Sequence, residues 1–583
     1  MRSGTGGSAP SRPPEGVPDG GQGRAREVAS AMTFEKVAMA YREMRIPFRT
    51  FLVTYVIPIF LLGVFLVVLL AVLFPVYVNG MLLLTLFSVP LFLAVVVLLW
   101  PLIVWEHRGK AIDRDMHLFI TRIGTLSTGD TSRQSIIELL SKMEGYRELA
   151  DEVRKIYKLA EEWHVGLSAA CRFAAKQTPS DPFSDFLYRL AHSMEAGDSA
   201  EEFFRAEQVV FMETYEANYR NSLRVIDTMT EVLISLVISI MFMMVMVALL
   251  PLIAGMDANL MMAIAVIIFL FTEFSFLYAM YALVPGEQIW YSGTLETPEA
   301  REVRHRLGVA VLLCFVFGFL VVLAAPRLPP MLGIAFTITP LLYPSLYVYR
   351  REVEIKRKDT NFPAFIRTLG STQEATGKVA VIALKKLSYH DFGPLTDNIK
   401  ALYKRVAMRI NRQRAWQLFG AETNSELISK FSDMFVEGTA TGGEPRAISR
   451  IISDNFARIQ GLRIEKFQMQ GRVTGILYGL AASMTVILYM ALFTTEGFFD
   501  LFSQLDVERG YEFVTFLRGQ TFDLTLINGL VVMIISVHAV VSMAITRVIG
   551  GGHWVGGFTH LVVIMWVAAI AAVLTQYAVV KIL

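Results

Sequence analysis

The chain has 583 residues, of which 54% are hydrophobic and only 18% charged, and its mean hydropathy is +0.48. A soluble protein of that length has no use for so much apolar surface, so the composition excludes a soluble enzyme and describes a polytopic membrane protein. The net charge of +2 conceals strong segregation of charge along the chain, and two cysteines, Cys171 and Cys314, supply neither a disulfide framework nor metal-ligand spacing.

Residues 1–33 are rich in glycine and proline and lack apolar periodicity, which predicts a disordered tail. The segment 34–105 follows, an amphipathic stretch and two membrane spans near 51–74 and 80–105. The first apolar run begins too late and is too long for a signal peptide, so it reads as a retained span. A bilayer core takes about 20 apolar residues per helix. By that measure the block 228–349 holds four more spans, near 228–254, 259–284, 308–325 and 331–349. The block 473–583 holds three, near 473–493, 524–546 and 558–580, which brings the expected total to about nine.

Basic residues collect on one side of this alternation, at Arg42, Arg45, Arg49, Arg108, Lys110, Arg220, Arg224, Arg301, Arg304, Arg306, Arg350, Arg351, Arg472 and Arg547. The other side receives Arg327, Arg509, Arg518 and Lys581. Cytoplasmic flanks gather Lys and Arg, so the amino terminus and both large loops are expected in the cytoplasm, the carboxyl terminus outside, in a cell membrane. An acidic loop, 494–523, then faces outward. A reducing compartment for the loops agrees with the cysteine usage.

Two soluble blocks interrupt the spans. The first, 106–227, carries 16 Lys and Arg against 21 Asp and Glu; the second, 350–472, carries 22 against 13. Their apolar period is helical, as in Leu149, Val153, Ile156, Ala160 and Trp163, or Ile136, Leu139, Leu140 and Met143. The expected fold class is therefore an all-α polytopic membrane protein with two cytoplasmic helical bundles. The bundles repeat one another. Phe119-Ile120-Thr121-Arg122-Ile123-Gly124-Thr125 parallels Phe365-Ile366-Arg367-Thr368-Leu369-Gly370-Ser371. Each is followed by Thr-Gly, at Thr128-Gly129 and Thr376-Gly377, and then by an amphipathic helix. Later come small acidic turns, placed at Glu195-Ala196-Gly197 and Glu437-Gly438-Thr439, and a long helix that enters the membrane.

On these paired segments the layout resembles the type II secretion F family, the membrane platforms of type II secretion systems and type IV pilus-like machines. Two such domains in one chain, each preceded by a membrane pair, look like the archaeal FlaJ-type platforms. The resemblance implies a non-enzymatic protein at the base of a filament. Its implied partners are a hexameric secretion ATPase and archaellin or pilin-like filament subunits. An archaellum and an archaeal adhesion pilus both fit.

The residues themselves offer no catalytic, cofactor or metal set. Gly377-Lys378 is followed by Val379 where a P-loop requires Ser or Thr, and His538, His553 and His560 lack ligand spacing. Glu273 stands out as a carboxylate inside a span, which must pair, protonate or line a polar path. A structural hydrogen bond to Thr272, Ser275 or a neighbouring helix is the plainer expectation, with His538 a possible partner; the functional readings are a contact for a filament subunit or a proton or ion relay, the latter being the argument for a secondary transporter, the alternative from another class. Transporters place their repeats in the spans, whereas this repeat includes large soluble bundles, which favours the platform.

In the basic block, Arg405, Arg409, Arg412 and Trp416 step by four, three and four, predicting one helical face with Lys404 and Arg414 beside it. A solvated face is the plain alternative to a dock for an acidic ATPase rim or anionic membrane lipids; nucleic acid lacks the aromatic interleaving it needs. In the seventh span Gly471, Gly475 and Gly479 form a small-residue face, for packing within the chain or as a homodimer seam. Gly550, Gly551, Gly552, Gly556 and Gly557 read as a mobile connection or a tight loop between the last spans.

Overall fold

The computed structural model describes residues 39, 41, 48–61, 64, 80–129, 132–254, 258–293, 295–324, 328–377, 379–504 and 524–582. The expected disordered tail, much of the first span and the 505–523 part of the outer loop lie outside them. The described residues form an all-α protein, with a single isolated β-bridge between Trp290 and Ser425. In chain order the main helices are α1 (Gly80–Leu126), α2 (Arg133–Ser141), α3 (Arg147–Glu161), α4 (Leu167–Gln177), α5 (Asp181–Ala196) and α6 (Ala200–Ala254). Then come α7 (Ala258–Leu283), α8 (Pro298–Ala324), α9 (Pro330–Ile338), α10 (Leu342–Ala375), α11 (Ala380–Leu387) and α12 (Thr396–Ala407). The last five are α13 (Arg412–Thr423), α14 (Glu426–Ala440), α15 (Pro445–Gln504), α16 (Leu524–Gly550) and α17 (Phe558–Ile582).

Among the described residues, seven helical stretches are long and apolar enough to cross a membrane: in α6, α7, α8, the α9 to α10 run, α15, α16 and α17. They match the last seven expected spans. The expected 80–105 span falls in α1. At 1.5 Å per residue the 55-residue α6 and the 60-residue α15 are about 80–90 Å long, enough to carry a soluble bundle's end through a bilayer without a break.

The chain divides into two compact units, residues 1–113 with 146–195, and residues 114–145 with 196–583. In the first, α3, α4 and α5 bury Leu149, Val153, Ile156, Ala170, Cys171, Ala174, Phe183, Phe186 and Leu190. Trp163 was expected on the same apolar face, but the helix ends before it and the indole is 71% exposed. Ser180 caps α5 through the Phe183 amide at 3.1 Å and donates to Asp113 of α1 at 2.5 Å.

In the second unit, α10 to α15 enclose Phe362, Phe365, Trp416, Phe419, Phe431, Phe435 and Phe456. Gly370 of the repeated segment lets α10 approach α15: a Cβ there would lie 2.0 Å from Ser449 Oγ. The copies agree in detail. Ser425 caps α14 through the Ile428 amide at 3.2 Å and donates to Asp359 at 2.5 Å, as Ser180 does to Asp113. Asp113 and Asp359 each lie six residues before the phenylalanine of the repeated segment. The turn predicted at Glu437-Gly438-Thr439 is corrected: these residues sit inside α14, and the counterpart of left-handed Gly197 (φ +78°) is Gly442 (φ +90°).

Candidate functional site

Helices α6 and α15 pack along one another in parallel, and equivalent residues of the two repeats meet between them. Arg220 contacts Glu465 at 3.2 Å, and Arg472 contacts Asp227 at 3.2 Å; both pairs are 245 residues apart. Ser180 and Ser425 have that same separation, as do Gly197 and Gly442. Like positions of two parallel helices can face each other repeatedly only across a two-fold axis running along them, so the second unit contains an internal pseudo-two-fold. Such exposed ion pairs add little stability. Their information lies in the signs: a symmetric pair of either copy alone would set Arg220 against Arg220.

The axis continues into the membrane between α7 and α16. Met262, Val266, Phe269, Glu273, Phe276 and Met280 are buried on α7, and Val284 just past its end. Ile527, Val531, Ile534, His538, Val541, Ile545 and Ile549 are buried on α16 with identical spacing, each 265 residues further on. Steps of three and four are the seam pattern of packed parallel helices. At the centre, His538 Nδ1 lies 2.8 Å from Glu273 Oε1, and Ser542 Oγ lies 3.4 Å from His538 Nε2. The carboxylate singled out in the sequence thus meets His538, the possible partner on another helix. Thr272 is not used; its hydroxyl donates to its own helix at Ile268.

A second buried constellation lies where the connector after α7 meets both long helices. Glu287 accepts from Arg463 at 3.1 Å and lies 3.5 Å from Lys466, whose Nζ also donates to the Pro285 carbonyl at 3.2 Å. Arg463 reaches Asp359 at 3.7 Å, the carboxylate held by Ser425. Two residues on, the connector pairs with the α13 to α14 turn: Tyr291 donates to the Asn424 carbonyl at 3.1 Å, and the Glu426 amide donates to Ile289 at 3.2 Å. Burial pushes the Glu287 carboxyl up, but Lys466 and Arg463 outweigh it and hold the group below its usual range.

His117 of α1 lies beside this cluster, stacked on Tyr215 at 4.4 Å between ring centroids, and burial pushes its imidazole down to about 4. The unfolded histidine takes up its proton near 6.5, whereas the folded one resists until about 4. Stability from this group is therefore complete above pH 6.5 and falls, by on the order of 3 kcal/mol, as pH drops from 6.5 to 4. His117→Gln should lose that component. Unfolding titrations of both proteins at pH 7 and pH 4.5 check it, and an unchanged difference between the two pH values would refute the assignment.

The third constellation closes the loop between α16 and α17. Arg547 donates to Glu352 of α10 at 2.6 and 3.3 Å, and Glu352 also accepts from the His553 amide at 2.8 Å and from Trp290 Nε1 at 3.3 Å. The glycines expected to form a mobile or tight connection are the walls of this site. A Cβ on Gly552 would sit 2.3 Å from Glu352 Oε1, and one on Gly556 would sit 2.6 Å from Arg547 Nη2. Nothing in the sequence separated these buried charges from solvated ones.

The basic residues do not share one helical face. α12 ends at Ala407, Arg409 is left-handed (φ +57°), and α13 begins at Arg412. The regular spacing runs across a helix-to-helix turn, and Trp416 is buried among Phe365, Phe419 and Phe435. Arg405 pairs with Glu422 and Arg412 bonds Thr439 Oγ1, whereas Lys404, Arg409 and Arg414 are exposed. Among the described residues, a Cβ on Gly471, Gly475 or Gly479 would meet nothing within 4 Å. His553 caps the turn after α16, and His560 bonds Tyr478 at 2.7 Å.

Residues 119–248, from the Phe119 segment into α6, match the family described as type II secretion system (T2SS), protein F. The chain is 32% identical over 544 residues to flagella accessory protein J of Methanocaldococcus jannaschii, covering 92% of this chain and 96% of that one. It is 31% identical over 537 residues to flagella accessory protein J of Methanococcus voltae, covering 91% and 95%. No solved structure matches.

Proposed function

We propose, from the premise that the chain belongs to the flagella accessory protein J family of type II secretion F-type membrane proteins, that it is the platform on which an archaellum-type filament is assembled. In this role it couples a hexameric cytoplasmic secretion ATPase to insertion of filament subunits and catalyses no reaction itself. The amino terminus and both bundles face the cytoplasm, the carboxyl terminus faces outward, and the open Gly471, Gly475 and Gly479 face serves as a homodimer seam.

The observation that carries this reading is the connector of residues 284–293. It leaves span α7 and is bound at once to the second bundle's turn, to α15 through Glu287, and to α10 through Trp290. A bundle pushed from the cytoplasm cannot shift without loading those contacts, since buried, bonded elements move as packed units. The reading is supported by this continuity and by the family.

Deletion of the gene should leave cells without surface filaments while subunits accumulate in the membrane, and the wild-type chain should restore them. Electron microscopy and membrane immunoblots check it. Filaments of normal number in the deletion strain would overturn the reading.

A further inference from the structure

We propose that the cavity enclosed by the end of α1 and the beginnings of α6 and α15 binds a small molecule carrying two or more phosphate groups. Its volume is about 530 Å³, and all of its lining belongs to the second unit. That is the size of a pocket for a small ligand. Arg205 of α6 and Arg450 of α15 both line it. They are equivalent residues, 245 positions apart, so each copy of the repeat contributes the same cation. Arg446 and Arg458 add two more guanidiniums, and all four side chains are exposed.

Among the described residues, Arg205, Arg446 and Arg458 make no side-chain hydrogen bond or ion pair. Three carboxylates share the lining, Glu201, Glu444 and Asp454. Asp454 is already engaged: Arg367 of α10 bonds it, and Arg450 lies 3.9 Å away. With Arg367 included, five guanidiniums stand against three carboxylates, and the cavity is net positive. Guanidiniums gathered without counterions repel one another, and their paired donors match the oxygens of phosphate.

The floor points to a ligand independently of this charge. Gln208 is only 7% exposed, yet among the described residues its carboxamide makes no hydrogen bond. Gly124 of the repeated segment leaves room for it, since a Cβ there would lie 2.2 Å from Gln208 Oε1. A buried amide is expected to have a partner. Water would satisfy the amide but would not neutralise three unpaired guanidiniums. Val209, Met212 and Ile451 offer apolar contact to the body of an organic phosphate.

Membrane lipid is not the source of the phosphates. Arg205 stands roughly 35 Å along α6 from Thr228, where the apolar run begins. The ligand is therefore a solute. Seated between Arg205 and Arg450, it ties the two copies of the repeat together at the ends of α6 and α15 farthest from the membrane.

The test uses the full chain in nanodiscs of uncharged lipid, titrated by calorimetry with pyrophosphate, ADP or sulfate at matched ionic strength. Pyrophosphate and ADP should bind once per chain and raise the unfolding temperature, whereas sulfate, with a single anionic centre, should bind far more weakly. Arg205→Gln with Arg450→Gln should leave ligand-free unfolding unchanged and weaken pyrophosphate binding about tenfold or more. Gln208→Leu should raise the ligand-free unfolding temperature yet weaken binding, because the carboxamide is kept for the ligand. Arg301→Gln with Arg304→Gln removes the same charge from exposed positions on α8 and should bind as the wild type does. Either probe binding in this pattern supports the site; ADP binding more tightly than pyrophosphate identifies a nucleotide, and equal affinities identify bare polyphosphate. The proposal is overturned by any of four results: no saturable binding at millimolar probe, sulfate as tight as pyrophosphate, unchanged binding in either cavity variant, or an equal loss in the α8 variant.

Discussion

Glu352→Ala should lower the unfolding free energy by roughly 3–5 kcal/mol, the cost of leaving a buried charge without its partner. Both side chains of the Glu352 and Arg547 pair are less than a tenth exposed. Removing the carboxylate strips Arg547 of two hydrogen bonds and also leaves the His553 amide and Trp290 Nε1 without their acceptor. The double variant Glu352→Leu with Arg547→Met should be much milder, because no charge remains buried. Gly556→Val should resemble the single variant, since its Cβ would begin 2.6 Å from the guanidinium that Glu352 holds in place and 3.1 Å from Val348. Reversible unfolding in mixed detergent micelles orders the four proteins. Equal stability of Glu352→Ala and wild type would mean that water, not this carboxylate, satisfies Arg547.

Much of the architecture was legible because it rests on local pattern. Runs of apolar residues marked the seven spans seen here, and the Phe119 and Phe365 segments marked the duplication. Glu273 was conspicuous because a charge inside an apolar run has few benign explanations. Buried charges within a charged block carry no such contrast. Glu287 and Arg463 are 176 residues apart, Glu352 and Arg547 are 195 apart, and periodicity on either helix says nothing about the other. The basic face failed for a different reason. Spacing of four, three and four presumes an unbroken helix, and the break at Arg409 carries no glycine or proline to announce it. The glycines at 551–557 were visible, but their purpose, room for a guanidinium, depends on Glu352 arriving from α10.

Exchanging Glu273 and His538 tests the internal two-fold most directly. If α7 and α16 are equivalent helices with the same buried spacing, the two side chains can trade places and still meet. Each single variant should fail. His538→Glu sets two carboxylates together in an apolar core, so one must stay protonated, and Glu273→His sets two imidazoles together with no acid between them. An unpartnered carboxylate at mid-span carries a cost of about 2.5–3.5 kcal/mol, enough to lower the folded yield severalfold. Glu273→His with His538→Glu should recover most of the loss. Recovery should be incomplete, because Ser542 stands 3.4 Å from His538 Nε2 while the corresponding residue of α7, 265 positions earlier, is Leu277. Adding Leu277→Ser and Ser542→Leu moves that hydroxyl to the histidine's new helix and should restore the remainder. Monodisperse yield and thermal unfolding of the four proteins in detergent decide it; a double exchange no better than its singles would mean that the two helices are not interchangeable at the site where they meet.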